Sequence, residues 1–400
     1  MKMKPLGFNS KSQNLLSTLS TQPLAAGLLA AFVGTASSFA VILRGLSAMG
    51  ASPAQAASGL MALSIAMGLC AIFLSLKTRM PISIAWSTPG AALLATSTAP
   101  EGGFAVAVGA FAVTGLLIAI AGLWKPLGRA VEAIPAPLAN AMLAGVIFGL
   151  CLAPARAVAS VPQLALPVIL VWAIVARFRR LYAVPAAVAV AVVLIAVFVR
   201  NVPLDMAMLW PNPVLVVPAF SLSACIGIAL PLFIVTMASQ NIPGMAVLNA
   251  NGFRPKPGPL LTVTGLFTLA CAPFGGHAVN LAAITAALCA GPDAHHDPAR
   301  RYWAAVAAGV AYVFFGLLAG AATALISASP PVLIEAVAGL ALLGAFGSAL
   351  MGAVAEARDR EAAVITFLVA ASGLTFFGIS GAFWGLLAGG AVMALGRLRL

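Results

Sequence analysis

The chain has very little charge. Only 8% of its 400 residues are charged; 9 residues are acidic and 3 are histidines. A soluble domain typically carries about 25% charged residues, because its cores must be covered by polar surface. The shortage of charge therefore excludes an ordinary soluble protein of this length.

Patterns typical of catalysis and metal binding are also missing. No P-loop, HExxH or GxSxG pattern occurs, and the five cysteines form no CxxC or Cys/His spacing. Disulfides, metal sites, ATP-driven pumping and hydrolase chemistry therefore have no support, and we expect no cofactor. The net charge of +12 forms no cluster on a polar face, so a nucleic-acid partner is not expected.

Hydrophobic residues make up 62% of the chain. They form runs of about 20 residues, which is the helix length that crosses a hydrocarbon core of ~30 Å. A transmembrane β-barrel would instead show alternating segments of roughly 10 residues. We therefore predict an all-α polytopic protein embedded in a lipid bilayer. No small-residue cleavage site follows a short apolar core, so no cleaved signal peptide is expected.

Apolar runs between polar breaks predict about fourteen transmembrane spans. Their approximate ranges are 23–43, 53–76, 81–97, 103–123, 134–155, 161–177, 181–199, 219–248, 257–273, 275–291, 302–327, 331–354, 361–378 and 380–396. If the N-terminus is cytoplasmic, 18 of the 21 basic residues lie in inside segments, and only Arg44, Arg156 and Arg200 lie outside. The positive-inside rule then favours fourteen spans with both termini in the cytoplasm. We expect the protein in a bacterial inner membrane.

Fourteen spans divide into two halves of seven, and an odd number of spans reverses the orientation of the second half. We therefore predict a cytoplasmic tail (1–22) followed by inverted repeats at 23–200 and 219–400. Span 3 (81–97) then corresponds to span 10 (275–291), and both contain Gly and Pro beside polar residues. Paired broken spans indicate a transporter binding site, because half-helix N-termini expose N–H groups that suit an anion.

His277 is the only histidine inside a predicted span, and Glu335 is the only carboxylate well inside one. His277 falls at the break of span 10, and its unperturbed pKa of about 6.5 suits reversible protonation. The alternative is a neutral histidine that bridges two helices. Glu335, near the outer end of span 12, is a proton relay, an outer-gate residue or a side chain that reaches the interface. His295 and His296 fall in a loop, and we expect both to be solvated.

Other polar residues concentrate at the two breaks and in span 8. Gln240 and Asn241 either bridge helices or bind substrate next to Pro243, and Trp86 either stacks on an aromatic substrate or packs as core. The candidate substrate-binding residues are Trp86, Ser87, Thr88, Gln240, Asn241, His277 and Asn280. The candidate proton-coupling residues are His277 and Glu335.

Three segments, 231–252, 273–285 and 81–90, resemble the BenE-type benzoate:proton symporters. The resemblance covers most of the chain and implies the inverted-repeat fold of uracil permeases and sulfate-type anion transporters. In that fold, spans 1–4 and 8–11 form a core domain, and spans 5–7 and 12–14 form a gate domain. The resemblance places the substrate between spans 3 and 10, with span 8 alongside.

By that resemblance, Gln240 and His277 fall where nucleobase permeases carry substrate-binding glutamates. An amide and a protonatable imidazole accept a carboxylate that two glutamates would repel. We therefore expect proton-coupled import of an aromatic carboxylate, benzoate first, and another small organic anion or a nucleobase is the alternative. A membrane enzyme would need more polar residues, and the broken spans favour alternating access over a passive channel. A homodimer is compatible with the sequence.

Overall fold

The computed structural model describes residues 21–124, 126, 134–198, 212–282, 284–327, 330–376 and 379–398. Most of the predicted cytoplasmic tail lies outside these residues. The same holds for part of the basic residues used to predict the topology, namely Lys2, Lys4, Lys11, Lys125, Arg129, Arg200 and Arg399.

The described residues of the first half are mostly helical. Its helices are α1 (Thr21–Ala48), α2 (Pro53–Thr78), α3 (Thr88–Thr96), α4 (Phe104–Leu123), α5 (Ala136–Cys151), α6 (Ala153–Ser160), α7 (Pro162–Arg179) and α8 (Ala183–Phe198). One strand, β1 (Ile84–Trp86), precedes α3. Ser52 begins α2 with a capping box that includes Gln55, and Arg79 ends it in a left-handed conformation.

The second half follows a similar order, with an additional strand pair before its last helix. Its elements are α9 (Leu222–Ala250), α10 (Pro257–Cys271), β2 (Val279–Leu281), α11 (Ile284–Ala290), α12 (Tyr302–Leu317), α13 (Ala319–Ser327), α14 (Pro331–Val354), α15 (Arg360–Ala371), β3 (Thr375–Phe376), β4 (Ile379–Ser380) and α16 (Gly381–Leu398). In both halves a short strand and a short helix occupy the third predicted span. The broken spans 3 and 10 are therefore present.

The polytopic helical membrane fold is confirmed. Among the described residues, eight helical segments are long and apolar enough to cross a bilayer, namely α1, α2, α4, α5 with α6, α7, α9, α10 with the turn after it, and α14. The short helices α3 and α11 lie in the broken spans, and α8, α12, α15 and α16 lie in the remaining predicted spans. The total of fourteen spans stays a prediction.

Packing within the predicted core domain follows a twofold pattern. Helix α2 packs along α12, so the second span of the first half contacts the fourth span of the second half. Helix α10 packs along α4, which is the same contact with the two halves exchanged. Both crossings occur at glycines. A Cβ on Gly68 would lie 2.5 Å from the carbonyl oxygen of Gly309, and a Cβ on Gly265 would lie 2.7 Å from that of Gly115. Small residues at such crossings let membrane helices approach closely.

The gate helices form a second group. Helix α5 packs on α14 and α15, α15 packs on α16, and α7 packs on α8. Leu164, Val168, Ile195 and Leu333 belong to a separate buried cluster between these helices. The two groups touch where α1 meets α14 and where α3 meets α5. This arrangement agrees with the core and gate domains that the resemblance implies.

Two details differ from the sequence-based expectations. Helix α15 ends at Ala371, well before the predicted end of span 13, because Gly373 turns the chain with a φ of +69° into the β3–β4 hairpin. His295 is buried rather than solvated, since only 3% of it is exposed and its ring stacks on that of His296 at 4.2 Å. His296 is exposed, as expected.

Candidate functional site

The two broken spans meet through their strands. Strands β1 and β2 pair antiparallel, with Ile84 opposite Leu281 and Trp86 opposite Val279. The amide of Ser87 donates to the carbonyl of Ala278 over 3.1 Å and extends this ladder. Within a bilayer, non-helical backbone needs such internal partners. Because the strands are antiparallel, α3 and α11 leave the break in opposite directions.

Helix α9 runs beside the break and contains two wide π turns. They cover Cys225–Ala229 and Met237–Asn241, and each is followed two residues later by a proline, Pro231 or Pro243. A proline lacks an N–H and its ring crowds the preceding turn, so a local widening of the helix accommodates it. Wide turns of this kind are frequent at functional sites, and the second one contains Gln240.

Asn241 ties this wide turn to the broken span 10. Its Oδ1 accepts a hydrogen bond from the amide of Leu281 over 2.9 Å, and its Nδ2 lies 3.3 Å from the sulfur of Met237. Gly244 lies so near that a Cβ on it would be 2.7 Å from the carbonyl oxygen of Ala282. Asn241 therefore bridges α9 and strand β2, which is closer to the bridging interpretation of its sequence position than to substrate binding.

A small cavity of about 70 Å³ lies beside the break. Three of the seven candidate residues line it, namely Trp86, Thr88 and Gln240. The remaining lining residues are Val33, Gly34, Ser38, Met67, Ala85, Ala282, Thr285 and Tyr312. All of them belong to predicted core spans. The cavity thus lies between the broken spans with α9 alongside, where the resemblance places the substrate.

Trp86 forms a fixed aromatic wall of this cavity. Its indole Nε1 donates to the hydroxyl of Ser38 over 2.8 Å, and that hydroxyl donates to the carbonyl of Gly34 over 2.7 Å. Thr285, which also lines the cavity, is hydrogen-bonded to Ser83 at 2.9 Å. Sequence reasoning missed Ser38 and Thr285. A hydroxyl in an apolar helix is a weak signal, because it often bonds its own backbone, as Ser38 does.

Thr88, the first residue of α3, lines the same cavity, so the N-terminus of this helix lies at the cavity. Ser87 caps the helix, because its hydroxyl accepts from the amide of Gly90 over 3.1 Å and from the hydroxyl of Thr236 over 2.9 Å. The first N–H groups of a helix have no partner within the helix, and the dipole there favours negative charge. A neutral amide, Gln240, also lines the cavity.

His277 lies behind the cavity wall and is fully buried. Its Nε2 is 3.0 Å from the carbonyl oxygen of Ser87, and its ring stands edge-on to Phe111 at 6.3 Å. Because a carbonyl oxygen only accepts, Nε2 carries the hydrogen and donates it. Among the described residues, the Nδ1 atom has no hydrogen-bond partner. That nitrogen is the place where a proton could be added without breaking the bond to Ser87.

Asn280 is also buried at the break. Its Nδ2 donates to the carbonyl of Leu281 over 2.9 Å, and its Oδ1 has no partner among the described residues. Ser87, Asn241 and His277 thus lie next to the paired strands and Asn280 lies within β2, whereas Trp86, Thr88 and Gln240 face the cavity.

Glu335 lies elsewhere. Its Oε1 is 2.8 Å from Nη2 of Arg44, and the pair lines a larger cavity of about 300 Å³ together with Arg156. Arg44 belongs to α1 of the core, and Glu335 belongs to α14 of the gate. The two candidate proton-coupling residues therefore occupy different places in the fold.

Sequence comparison covers nearly the whole chain. The profile of the BenE family, described as Benzoate membrane transport protein, matches residues 17–395. "Inner membrane protein YdcO" of Escherichia coli is 43% identical over 376 residues, which cover 92% of this chain and 94% of that protein. "Benzoate membrane transport protein" of Acinetobacter baylyi is 34% identical over 367 residues, which cover 91% and 92%.

Two solved structures share the fold. The transmembrane domain of a cyanobacterium bicarbonate transporter, BicA, superposes with a TM-score of 0.53 and 15% identity over 95% of this chain and 97% of that one. The murine Slc26a9 anion transporter in the inward-facing state superposes with a TM-score of 0.63 and 14% identity over 100% and 73%. At this identity the likeness concerns the fold alone, and it agrees with the predicted inverted-repeat architecture.

Proposed function

The chain belongs to the BenE family of benzoate membrane transport proteins, and we propose that it imports benzoate, or a closely related aromatic carboxylate, together with protons. The observation that carries this proposal is the cavity at the break. There an indole face, a helix N-terminus and a neutral amide meet in one space. This combination suits a planar ring that bears one negative charge.

Each part of the substrate has a counterpart in this cavity. The carboxylate lies at the N-terminus of α3, where it accepts hydrogen bonds from Thr88 and from the amide of Gln240. The ring lies against Trp86, which its bond to Ser38 holds in place. A volume of about 70 Å³ is below the roughly 300–1,000 Å³ of small-molecule pockets, so the substrate enters when the walls separate.

We propose His277 as the coupling residue. A proton taken up at Nδ1 leaves the bond from Nε2 to the Ser87 carbonyl intact. That carbonyl shares a peptide group with the N–H of Thr88, so a charged imidazole polarises the peptide and strengthens this N–H as a donor. Proton and carboxylate then favour each other's binding by the same factor. Together they are formally neutral, which eases their passage along the apolar gate.

The remaining parts of the proposal concern orientation and assembly. The repeats span residues 23–200 and 219–400, both termini face the cytoplasm of a bacterial cell, and the protein lies in the inner membrane. The name of the Escherichia coli relative, an inner membrane protein, supports this location. The distribution of basic residues supports the orientation. A homodimer is the oligomeric state to be tested.

Uptake into proteoliposomes tests the function directly. Purified protein is reconstituted, and labelled benzoate is added outside with or without an acidic exterior. We expect accumulation only with the pH gradient, and competition by unlabelled benzoate but not by uracil or bicarbonate. Uptake that ignores the gradient would reject symport, and stronger competition by uracil or bicarbonate would reject the proposed substrate.

A further inference from the structure

The larger cavity lies between the core and the gate, away from the break. Its walls are the end of α1, the end of α3, the second half of α5, and parts of α6, α14, α15 and α16. Its volume of about 300 Å³ reaches the range of small-molecule pockets, which begins at about 300 Å³. The mechanism proposed above makes no use of this space.

The charged residues in its wall are Arg44, Arg156 and Glu335. Two cations and one anion leave an excess of one positive charge in an otherwise apolar or weakly polar wall. Among the described residues, no carboxylate pairs with Arg156, whereas Arg44 is held by Glu335 at 2.8 Å. A concave site with this excess attracts small anions and raises their local concentration.

The ion pair of Arg44 and Glu335 joins the two domains. One turn further along α14, a Cβ on Gly339 would lie 2.3 Å from the carbonyl oxygen of Leu150 and 2.8 Å from Cδ of Pro154. This face of α14 therefore rests on α5 and α6, and α6 also carries Arg156. Core, gate and the unpaired arginine thus converge on one cavity. On the proposed topology it lies on the outer side of the membrane.

We propose that this cavity is an outer antechamber, a first binding site for the substrate carboxylate on its way to the break. Arg156 binds the carboxylate first, and Arg44 then exchanges the Glu335 carboxylate for that of the substrate. A guanidinium suits this exchange, because it holds a carboxylate through two parallel hydrogen bonds. Loss of the Arg44–Glu335 pair removes one contact between core and gate. The proposal rests on the proposed function.

Charge at position 156 is the decisive variable. We suggest the variant Arg156→Cys, treated from outside with impermeant methanethiosulfonates that add a positive, a neutral or a negative group. Uptake of external benzoate is then measured at low and at high salt. We expect KM to rise about fivefold in Arg156→Cys at low salt. Two opposite charges about 4 Å apart attract each other by about 1 kcal/mol in water, which corresponds to this fold-change. The positive reagent should restore KM and the negative one should raise it further, with kcat unchanged and the differences smaller at high salt.

Matched variants complete the test. Wild type treated with the same reagents controls for the five native cysteines, and Lys77→Gln removes one positive charge from the end of α2, outside this cavity. Glu335→Gln should lower KM, because it removes the group that competes for Arg44. If KM in Arg156→Cys and Arg44→Gln equals that of wild type at low salt, the antechamber is rejected while the transport function stands. If wild type takes up no benzoate, the proposed function fails and the antechamber with it.

Discussion

The imidazole of His277 donates to the carbonyl oxygen of Ser87 over 3.0 Å, so a buried histidine of one broken span is bonded to the backbone at the start of the other half-helix. The histidine that we propose as the coupling residue and the residues that face the cavity are therefore separate, but one peptide group connects them. This relationship makes the roles of charge and of shape testable with different variants.

His277→Gln keeps a hydrogen-bonding side chain but removes a titratable one. We expect the variant to bind benzoate more weakly and with less dependence on pH, and to lose accumulation against a gradient. His296→Gln, an exposed histidine outside the site, should behave as wild type. Proteoliposome uptake with an imposed pH gradient is the measurement. Undiminished accumulation by His277→Gln would place the coupling proton elsewhere, and Glu335 would be the next candidate.

Gln240→Glu adds a negative charge where the carboxylate should lie. Two unit charges about 4 Å apart repel by about 4 kcal/mol at an effective dielectric constant of 20, and 1.4 kcal/mol is a tenfold change. We therefore expect benzoate affinity at pH 7 to fall by at least about tenfold. Asn249→Asp adds the same charge to an exposed position of α9 and should leave binding unchanged. Equal affinity of Gln240→Glu and wild type would show that Gln240 does not face the substrate.

Gly34→Ala tests the shape of the cavity without removing a polar group. A Cβ there would lie 2.9 Å from the Tyr312 hydroxyl and 3.2 Å from Cγ2 of Thr285, inside the proposed ring site. Such overpacking costs about 1–3 kcal/mol of folding stability. Because the added methyl group also fills space that we propose for the ring, benzoate affinity should drop roughly tenfold, which is about 1.4 kcal/mol. Gly347→Ala, which would meet no atom within 4 Å, is the matched control. The idea fails if Gly34→Ala binds normally and melts at the wild-type temperature.

The topology can be tested by labelling. In a cysteine-free background, single cysteines near Arg179 and Arg358 should react with an impermeant maleimide only from the cytoplasmic side. A cysteine at position 156 should react only from outside. The reason is the asymmetry of the basic residues, 18 inside and 3 outside. Labelling of positions 179 or 358 in intact cells would contradict the fourteen-span topology.

Sequence patterns predicted the broken spans because their signals are local. Gly, Pro and polar residues interrupt the apolar runs at 81–97 and 275–291, and no uninterrupted membrane helix explains that combination. The pairing of Trp86 with Val279 depends on residues almost two hundred positions apart, so no local pattern reveals it.

The cavity wall was harder to predict for the same reason. Gly34 and Tyr312 come from predicted spans 1 and 11, which carry neither a break nor a charge. The ion pair of Arg44 and Glu335 also joins distant parts of the chain. Each residue stood out by its charge, but their proximity follows only from how the gate rests on the core.

The glycine crossings of the core have a mechanical consequence. At Gly68 with Gly309, and at Gly115 with Gly265, main chain lies directly against main chain, with no side chain between them to change rotamer. No side chain at these crossings can rearrange to absorb a movement, and close-packed backbone is barely compressible. The four helices α2, α4, α10 and α12 therefore form a stiff frame. Larger side chains at these points should abolish folding rather than alter substrate preference.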